Sequence, residues 1–378
     1  MSNLEDIQTN IMKPRKARIE RLKGLRYKVE QQPKNYNKEF VDSTKIKPSK
    51  NKFNCVDLFT GAGGNSLGLR DAGFTGLLSV EMVEDASETY KMNFPESTHF
   101  GEDIRKISKK RILNAVGDKT VHVMAAGFPC QGFSTAGKQD LMDERNSLYK
   151  QVVRFAKILK PWYLIMENVP GIINMGEGQF IDSIISDFNK IGYPGLSVSI
   201  LESAEYGVPQ LRPRAIFIGN RFELKNPYPK PILSPDKYVS IENAIGDLKN
   251  VPRTPEINHE WTKHSEDMEE RISKVKPGRS LYDSYADANK RQYNGLPSMT
   301  IKENHGTTHI HYDLNRTLSA REMARLQSFP DSFKFHGRMK RVMWQIGNAA
   351  PPLLFKHIGL AITPKLKQIK KSLLIQSK

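Results

Sequence analysis

From Phe53 onward, short apolar runs alternate with stretches in which apolar residues recur every three or four positions. The runs FNCVDLF, LLSVEM, VHVMAAGF, WYLIMEN and RAIFIGN carry apolar side chains on both faces, which predicts buried strands. Residues 147 to 159 and 179 to 190 show the helical period and predict helices between them. Strand-helix alternation of this kind predicts an α/β fold with a parallel sheet covered by helices on both faces. Ligands of such sheets bind at the carboxyl ends of the strands, so the chemistry is to be sought there.

The pattern dissolves after Phe222. Prolines at 227, 229, 231, 235, 252 and 255, followed by polar sequence, predict a smaller, loop-rich region reaching about Asn315, of the kind used for recognition. The first 52 residues read as a solvated appendage divided by Pro14, Pro33 and Pro48, with one basic helix expected from about Arg15 to Gln32. No internal repeat or low-complexity tract is present.

Charge adds a partner class. The 378 residues hold 58 Lys plus Arg against 41 Asp plus Glu, a formal +17. That excess suits a polyanion, either nucleic acid or an anionic membrane surface. It sits at the two ends: residues 1 to 52 sum to +8 and 316 to 378 to +11, whereas 53 to 315 sum to −2. Only two cysteines occur, Cys55 and Cys130, which excludes a disulfide framework and predicts a reducing compartment. Without an apolar stretch of ~20 residues or an N-terminal signal core, a soluble, intracellular protein with no membrane partner is expected.

Candidate chemistry clusters at the strand ends. The first run ends in Asp57-Leu58-Phe59-Thr60-Gly61-Ala62-Gly63-Gly64, a strand, glycine turn and helix start that can cradle a nucleotide-like ligand. Glu81 closes the next run, about 20 residues on, where an acid can bind ribose hydroxyls, and Asp103-Ile104 follows in the next turn. Gly127-Phe128-Pro129-Cys130-Gln131-Gly132-Phe133-Ser134 opens a glycine-containing loop through about Asn146. Cys130, at a strand end behind a proline, reads as a nucleophile, whereas Cys55 inside its apolar strand reads as inert core. Glu167-Asn168-Val169-Pro170 places a carboxyl beside the same cleft as a proton donor. Gln210, Arg212 and Arg214, spaced by two, would share one face of an extended segment and could grip a base edge and a phosphate. His305, His309 and His311 match no structural zinc spacing; polar loop residues facing DNA are expected there, and no metal.

In this order the motifs resemble the DNA (cytosine-5) methyltransferases that use S-adenosylmethionine. The likeness runs from DLFTGAGG through GFPCQGFS, ENVPG and QLRPR to RTLSAREMARLQSFPDSF (316 to 333) and QIGNAAPP (345 to 352). It implies a Rossmann-like S-adenosylmethionine-dependent methyltransferase sheet with a smaller, loop-rich target-recognition domain. The division expected is a basic extension over 1–52, a catalytic domain over 53–221, a target-recognition domain over 222–344, and a segment over 345–378 returning to the catalytic domain.

By the same resemblance Cys130 adds to carbon 6 of a flipped-out cytosine, Glu167 serves ring nitrogen 3, Arg214 holds the base carbonyl, and Asn168 and Arg212 complete the catalytic set. Phe59, Gly61, Gly63, Glu81, Met82, Asp103, Ile104, Pro129, Leu148 and Asn348 match cofactor-pocket positions, and Gln131, Ser134, Arg145 and Gln210 match positions facing DNA. Met82 departs from the aromatic that many relatives place against the adenine. The resemblance implies a monomer acting on double-stranded DNA, a functional endonuclease counterpart, and a cytoplasmic, nucleoid-associated location. An RNA cytosine-5 methyltransferase of the same fold and a non-catalytic DNA-binding regulator are the alternatives. GFPCQGFS and the 222 to 315 region argue against the first, and Cys130, Glu167 and Arg214 together argue against the second.

Overall fold

The computed structural model describes residues 16–17, 19–26, 29–30, 37–49, 53–129, 148–282, 289–302 and 308–376. Its strands are β1 (Lys38–Val41), β2 (Phe53–Leu58), β3 (Phe74–Val80), β4 (Thr98–Phe100), β5 (Val123–Ala126), β6 (Tyr163–Asn168), β7 (Ser197–Glu202), β8 (Pro213–Asn220) and β9 (Asn226–Pro229). The helices are α1 (Gly64–Asp71), α2 (Glu84–Asn93), α3 (Lys109–Val116), α4 (Tyr149–Leu159), α5 (Gln179–Lys190), α6 (Ile241–Ile245), α7 (Glu266–Ser273), α8 (Ala320–Leu326), α9 (Met339–Asn348) and α10 (Pro352–Gln376). Among the described residues no helix is long and apolar enough to cross a membrane.

All five expected strands form, in one seven-stranded sheet of order β4-β3-β2-β5-β6-β8-β7. The sheet is mixed, correcting the all-parallel expectation: β8 runs antiparallel to both β6 and β7. The link from Glu202 to Pro213 holds only a short 3-10 turn at Ser203–Tyr206, too little chain for the crossover that a parallel return requires.

Alternate side chains of each strand feed two cores, which is why the runs read as continuously apolar. Val56, Leu58, Met124, Ala126, Leu164 and Met166 pack under α3, α4 and α5. Phe53, Cys55, Val123, Ala125, Tyr163 and Ile165 pack on the other face against α1 and α10. A third core joins α6, α8 and α9 to Ala62, Leu67, Tyr90 and Phe94, so the loop-rich region rests on the helices that follow β2 and β3.

The chain before Phe53 is in part built into this body rather than a separate appendage. Val29 is buried in the first core, with Leu22 and Leu25 packed against it. Arg26 donates to both oxygens of Glu205, at 3.0 and 2.5 Å, and to the Ile200 carbonyl on the edge strand β7. Strand β1 pairs in parallel with β9. Prolines alternate along β9, so the amides of Asn226 and Tyr228 remain for the ladder, and Asn226 N donates to Asn37 O at 2.8 Å. Glu39 pairs with Lys365 at 3.0 Å, and Ser43 Oγ meets His357 Nδ1 at 2.9 Å, which ties the same segment to α10.

Candidate active site

The turn after β2 is held in left-handed backbone at Phe59 (φ 58°), Gly61 (φ 52°) and Gly63 (φ 99°). At Gly63 a side chain would also strike the Phe94 ring, its Cβ 2.5 Å away. The turn is pinned to the next strand, with Thr60 N donating to Val80 O at 3.1 Å and Gly61 N to Glu81 Oε2 at 2.8 Å. Glu81 Oε1 accepts from Val83 N at 2.8 Å. Burial raises the Glu81 carboxyl, against the lowering effect of these amides. The carboxylate has more acceptor sites than these amides fill, which leaves room for a hydroxyl donor. Beside it Met82 is 63% exposed. Asp103 caps the 3-10 turn Ile104–Lys106, and its hydrogen bonds from Arg105 hold its carboxyl below the ordinary range; Ile104 is buried.

The C-terminal segment closes against this turn. Ala350 O lies only 2.1 Å from where a Cβ on Gly64 would stand, and Pro352 O is as tightly set against Gly68. Asn348, exposed, ends α9 at this junction, and Leu148 sits at the N-terminal cap of α4.

Strand β5 leads into Gly127, Phe128 and Pro129. The space a Gly127 side chain would fill is ringed by Asn65 Nδ2, Glu167 Oε2 and Phe59 O at 3.7 to 3.8 Å. Asn65 Oδ1, beside it, is buried without a hydrogen-bond partner among the described residues. Glu167 forms an ion pair with Arg214 across β6 and β8, Oε1 to Nε 2.6 Å, both side chains largely buried. Asn168 Nδ2 donates to Phe128 O at 3.0 Å, so this side chain braces the backbone two residues before Cys130. Glycine turn, Glu81, Gly127, Glu167 and Arg214 thus meet at adjoining strand ends. Cys130, Gln131, Ser134, Arg145 and His305 lie outside the described residues.

Two expected contacts with substrate turn inward instead. Gln210 is fully buried, donating to Leu326 O at 3.0 Å and accepting from Ile301 N at 2.8 Å. Arg212 is 3% exposed and donates to the carbonyls of Ile301 (2.6 Å), Gly347 (2.8 Å) and Ala349 (3.0 Å). Main-chain carbonyls, unlike phosphate, are obligatory acceptors of the fold and need such a donor once buried. Arg212 is a strut joining β8, the loop-rich region and the C-terminal segment, not a backbone clamp on DNA. Arg212→Met should therefore cost about 2–3 kcal/mol of unfolding free energy. The slope of DNA affinity against salt should stay unchanged, because no phosphate contact is lost. Denaturant titration and binding at graded salt measure the two effects.

His309 and His311 also face inward rather than DNA, at 5% and 0% exposure. His311 Nδ1 accepts from the amides of Asp313 and Leu314, both at 3.0 Å, and burial lowers its pKa to about 4. Its neighbour Glu322 takes a bidentate pair from Arg316 (2.8 and 2.7 Å) inside a capping box with Ser319. This buried polar cluster anchors the QSFP-containing motif.

Sequence reasoning also assigned no part to Asp57, which is 1% exposed. It accepts from Ser66 Oγ at 2.7 Å and Asn65 Nδ2 at 3.3 Å, securing β2 to the start of α1. Burial raises its pKa to about 7. A lone acid inside an otherwise apolar run was the available signal.

The family model for C-5 cytosine-specific DNA methylase matches residues 53–364. Among curated proteins, the chain is 37% identical over 322 residues to Type II methyltransferase M1.HphI of Haemophilus parahaemolyticus, covering 81% of this chain and 86% of the relative. It is 33% identical to Type II methyltransferase M.DdeI of Desulfomicrobium norvegicum, covering 82% and 88%. Among solved structures, a proposed DNA modification methyltransferase encoded within an E. coli prophage superposes with a TM-score of 0.70 at 26% identity, over 84% of this chain and all of that one. The Spodoptera frugiperda DNMT2 mutant, at 16% identity and a TM-score of 0.56, covers 83% of this chain and 99% of that one and shares the fold.

Proposed function

Since the chain belongs to the C-5 cytosine-specific DNA methylases, we propose that it transfers the methyl group of S-adenosylmethionine to carbon 5 of a cytosine flipped out of duplex DNA. It would do so as the modification enzyme of a Type II restriction-modification pair, working as a monomer beside an endonuclease that reads the same short sequence. The observation that carries this reading is the Glu167–Arg214 pair at 2.6 Å, set beside Gly127 and the glycine turn.

The pocket residues fit S-adenosylmethionine. Glu81 retains acceptor capacity for ribose hydroxyls, the turn at Phe59–Gly63 brings main chain close, and Asn65 Oδ1, without a hydrogen-bond partner among the described residues, adds a polar acceptor beside Phe59 O and Glu167 Oε2. Phe59, Gly61, Gly63, Glu81, Met82, Asp103, Ile104, Pro129, Leu148 and Asn348 would hold it. When bound, it supplies an electrophilic methyl group on a sulfonium.

Carbon 5 of cytosine is a weak nucleophile, so the Cys130 thiolate first bonds to carbon 6 and leaves an electron-rich carbon 5. Glu167 supports this addition at ring nitrogen 3, and Arg214 fixes both the Glu167 carboxyl and the base carbonyl. After methylation, loss of the carbon 5 proton restores the ring double bond and expels the thiolate. Asn168 keeps the backbone leading to Cys130 in register with Glu167, through Phe128 O. Flipping the base costs a few kcal/mol, which contacts of the loop from Cys130 through about Asn146 have to offset, with Gln131, Ser134 and Arg145 on the DNA side.

Incubation of duplex DNA with the protein and methyl-labelled S-adenosylmethionine, followed by nucleoside analysis, tests this reading. Label in 5-methylcytosine is expected. Label in another nucleoside, or only in an RNA substrate, overturns it.

A further inference from the structure

Helix α4 begins one residue after Leu148 and is firmly seated. Val152, Phe155 and Ala156 are buried in the first core, Tyr149 OH donates to Asp187 at 2.9 Å, and Lys150 pairs with the same carboxylate. From the same helix Arg154 reaches the 3-10 turn that follows β4. Its NH2 donates to Ile104 O at 2.6 Å and its NH1 to Ile107 O at 2.8 Å. Its Nε donates to Gln151 Oε1 at 2.7 Å, fixing the plane of the guanidinium from within the helix.

Every nitrogen of this side chain therefore has a directed partner, and two of them bracket one short turn. Ile104 and Ile107 bury their side chains in the first core, but a 3-10 turn of three residues has little internal hydrogen bonding, so the setting of its carbonyls depends on what grips them. Arg105, on the turn, pairs with Asp103 at 2.6 Å. Lysine could not replace Arg154, since one ammonium cannot match the planar fork that meets both carbonyls.

We infer that Arg154 is a positioning residue for the adenine end of the cofactor pocket, holding the Asp103-Ile104 turn at a set distance from Leu148. This rests on the S-adenosylmethionine reading above. The residue touches neither cofactor nor DNA. It acts by fixing two cofactor-facing segments that come from separate strand-helix units.

The test is calorimetric titration of S-adenosylhomocysteine into wild-type protein, Arg154→Met and Arg154→Lys, with steady-state kinetics alongside. Arg154→Met should weaken binding about tenfold, equivalent to about 1.4 kcal/mol. KM for S-adenosylmethionine should rise in parallel, while kcat at saturating cofactor and DNA affinity change by less than about twofold. Arg154→Lys should fall between the two, and it carries the test if Arg154→Met does not fold. Equal affinity in all three proteins overturns the inference. So does a loss of kcat and thermal stability without a separate rise in KM, the mark of a merely structural residue. Failure of the wild-type protein to bind the ligand instead removes the cofactor reading itself, and the inference with it.

Discussion

Cys130→Ser should abolish methyl transfer, by about 10⁴-fold or more, while duplex binding survives. A serine hydroxyl is almost wholly protonated near neutrality and cannot add to carbon 6 as a thiolate does, so the loss falls on kcat. The other cysteine is the internal control. Cys55 is 3% exposed inside β2, and burial pushes its thiol far above the ordinary range. Cys55→Ser should therefore alter stability but leave the chemistry in place. Rates under single-turnover conditions, with duplex affinity measured separately, check both statements. Substantial turnover by Cys130→Ser would remove the nucleophile assignment.

The second large effect belongs to Glu167. Glu167→Gln preserves shape and leaves an amide oxygen to accept from Arg214 Nε, which now lies 2.6 Å from the carboxylate. The fold should persist. What disappears is the acid that supports addition at the ring nitrogen, and kcat should drop by about 10² to 10⁴-fold. KM for S-adenosylmethionine should change little, because the acid proposed for the ribose is Glu81, which is held separately by the amides of Gly61 and Val83. A parallel collapse of cofactor affinity would mean that Glu167 organises the pocket rather than the reaction.

Both predictions draw on residues legible in the sequence, for a physical reason. Glu167 and Arg214 are charged side chains at the ends of apolar strands, and Cys130 stands out in the sequence as a thiol just past such a run. Strands β2, β3, β5, β6 and β8 were legible because burial on two faces makes each a near-continuous apolar run. Strand β7 was not: its Ser197 and Ser199 are buried polar residues, so its pattern imitates a loop, and β4 has only three residues.

Direction and partner were the other hidden quantities. The antiparallel course of β8 depends on the length of a connection, not on the strand's composition. Gln210 and Arg212 looked like a gripping row because polar spacing on a strand shows which face a side chain takes but not whether solvent or protein covers it. Here the covering chain comes from Ile301, Leu326, Gly347 and Ala349, all distant in sequence. Arg26 is the same case at the N-terminus: one basic residue in a basic helix, distinguished by partners, Glu205 and the Ile200 carbonyl, that are distant in sequence.

The charge distribution acquires a structural reading as well. Among the described basic residues of the N-terminal segment, Arg26 is engaged with the body, while Lys23 is exposed and pairs with Glu20. Arg26 is thus spent on the fold, and the formal charge of the segment overstates what it can present to a polyanion.

The central claim is a covalent bond between Cys130 and carbon 6 of the target cytosine. Duplex DNA carrying 5-fluorocytosine in the methylated sequence tests it directly, because fluorine at carbon 5 cannot leave as a proton and the adduct cannot resolve. With S-adenosylmethionine present, mass spectrometry should find one protein-DNA adduct bearing the transferred methyl group, mapped by peptide digestion to Cys130. Absence of an adduct on a duplex whose unfluorinated counterpart is methylated, or its mapping to any residue other than Cys130, would contradict the account.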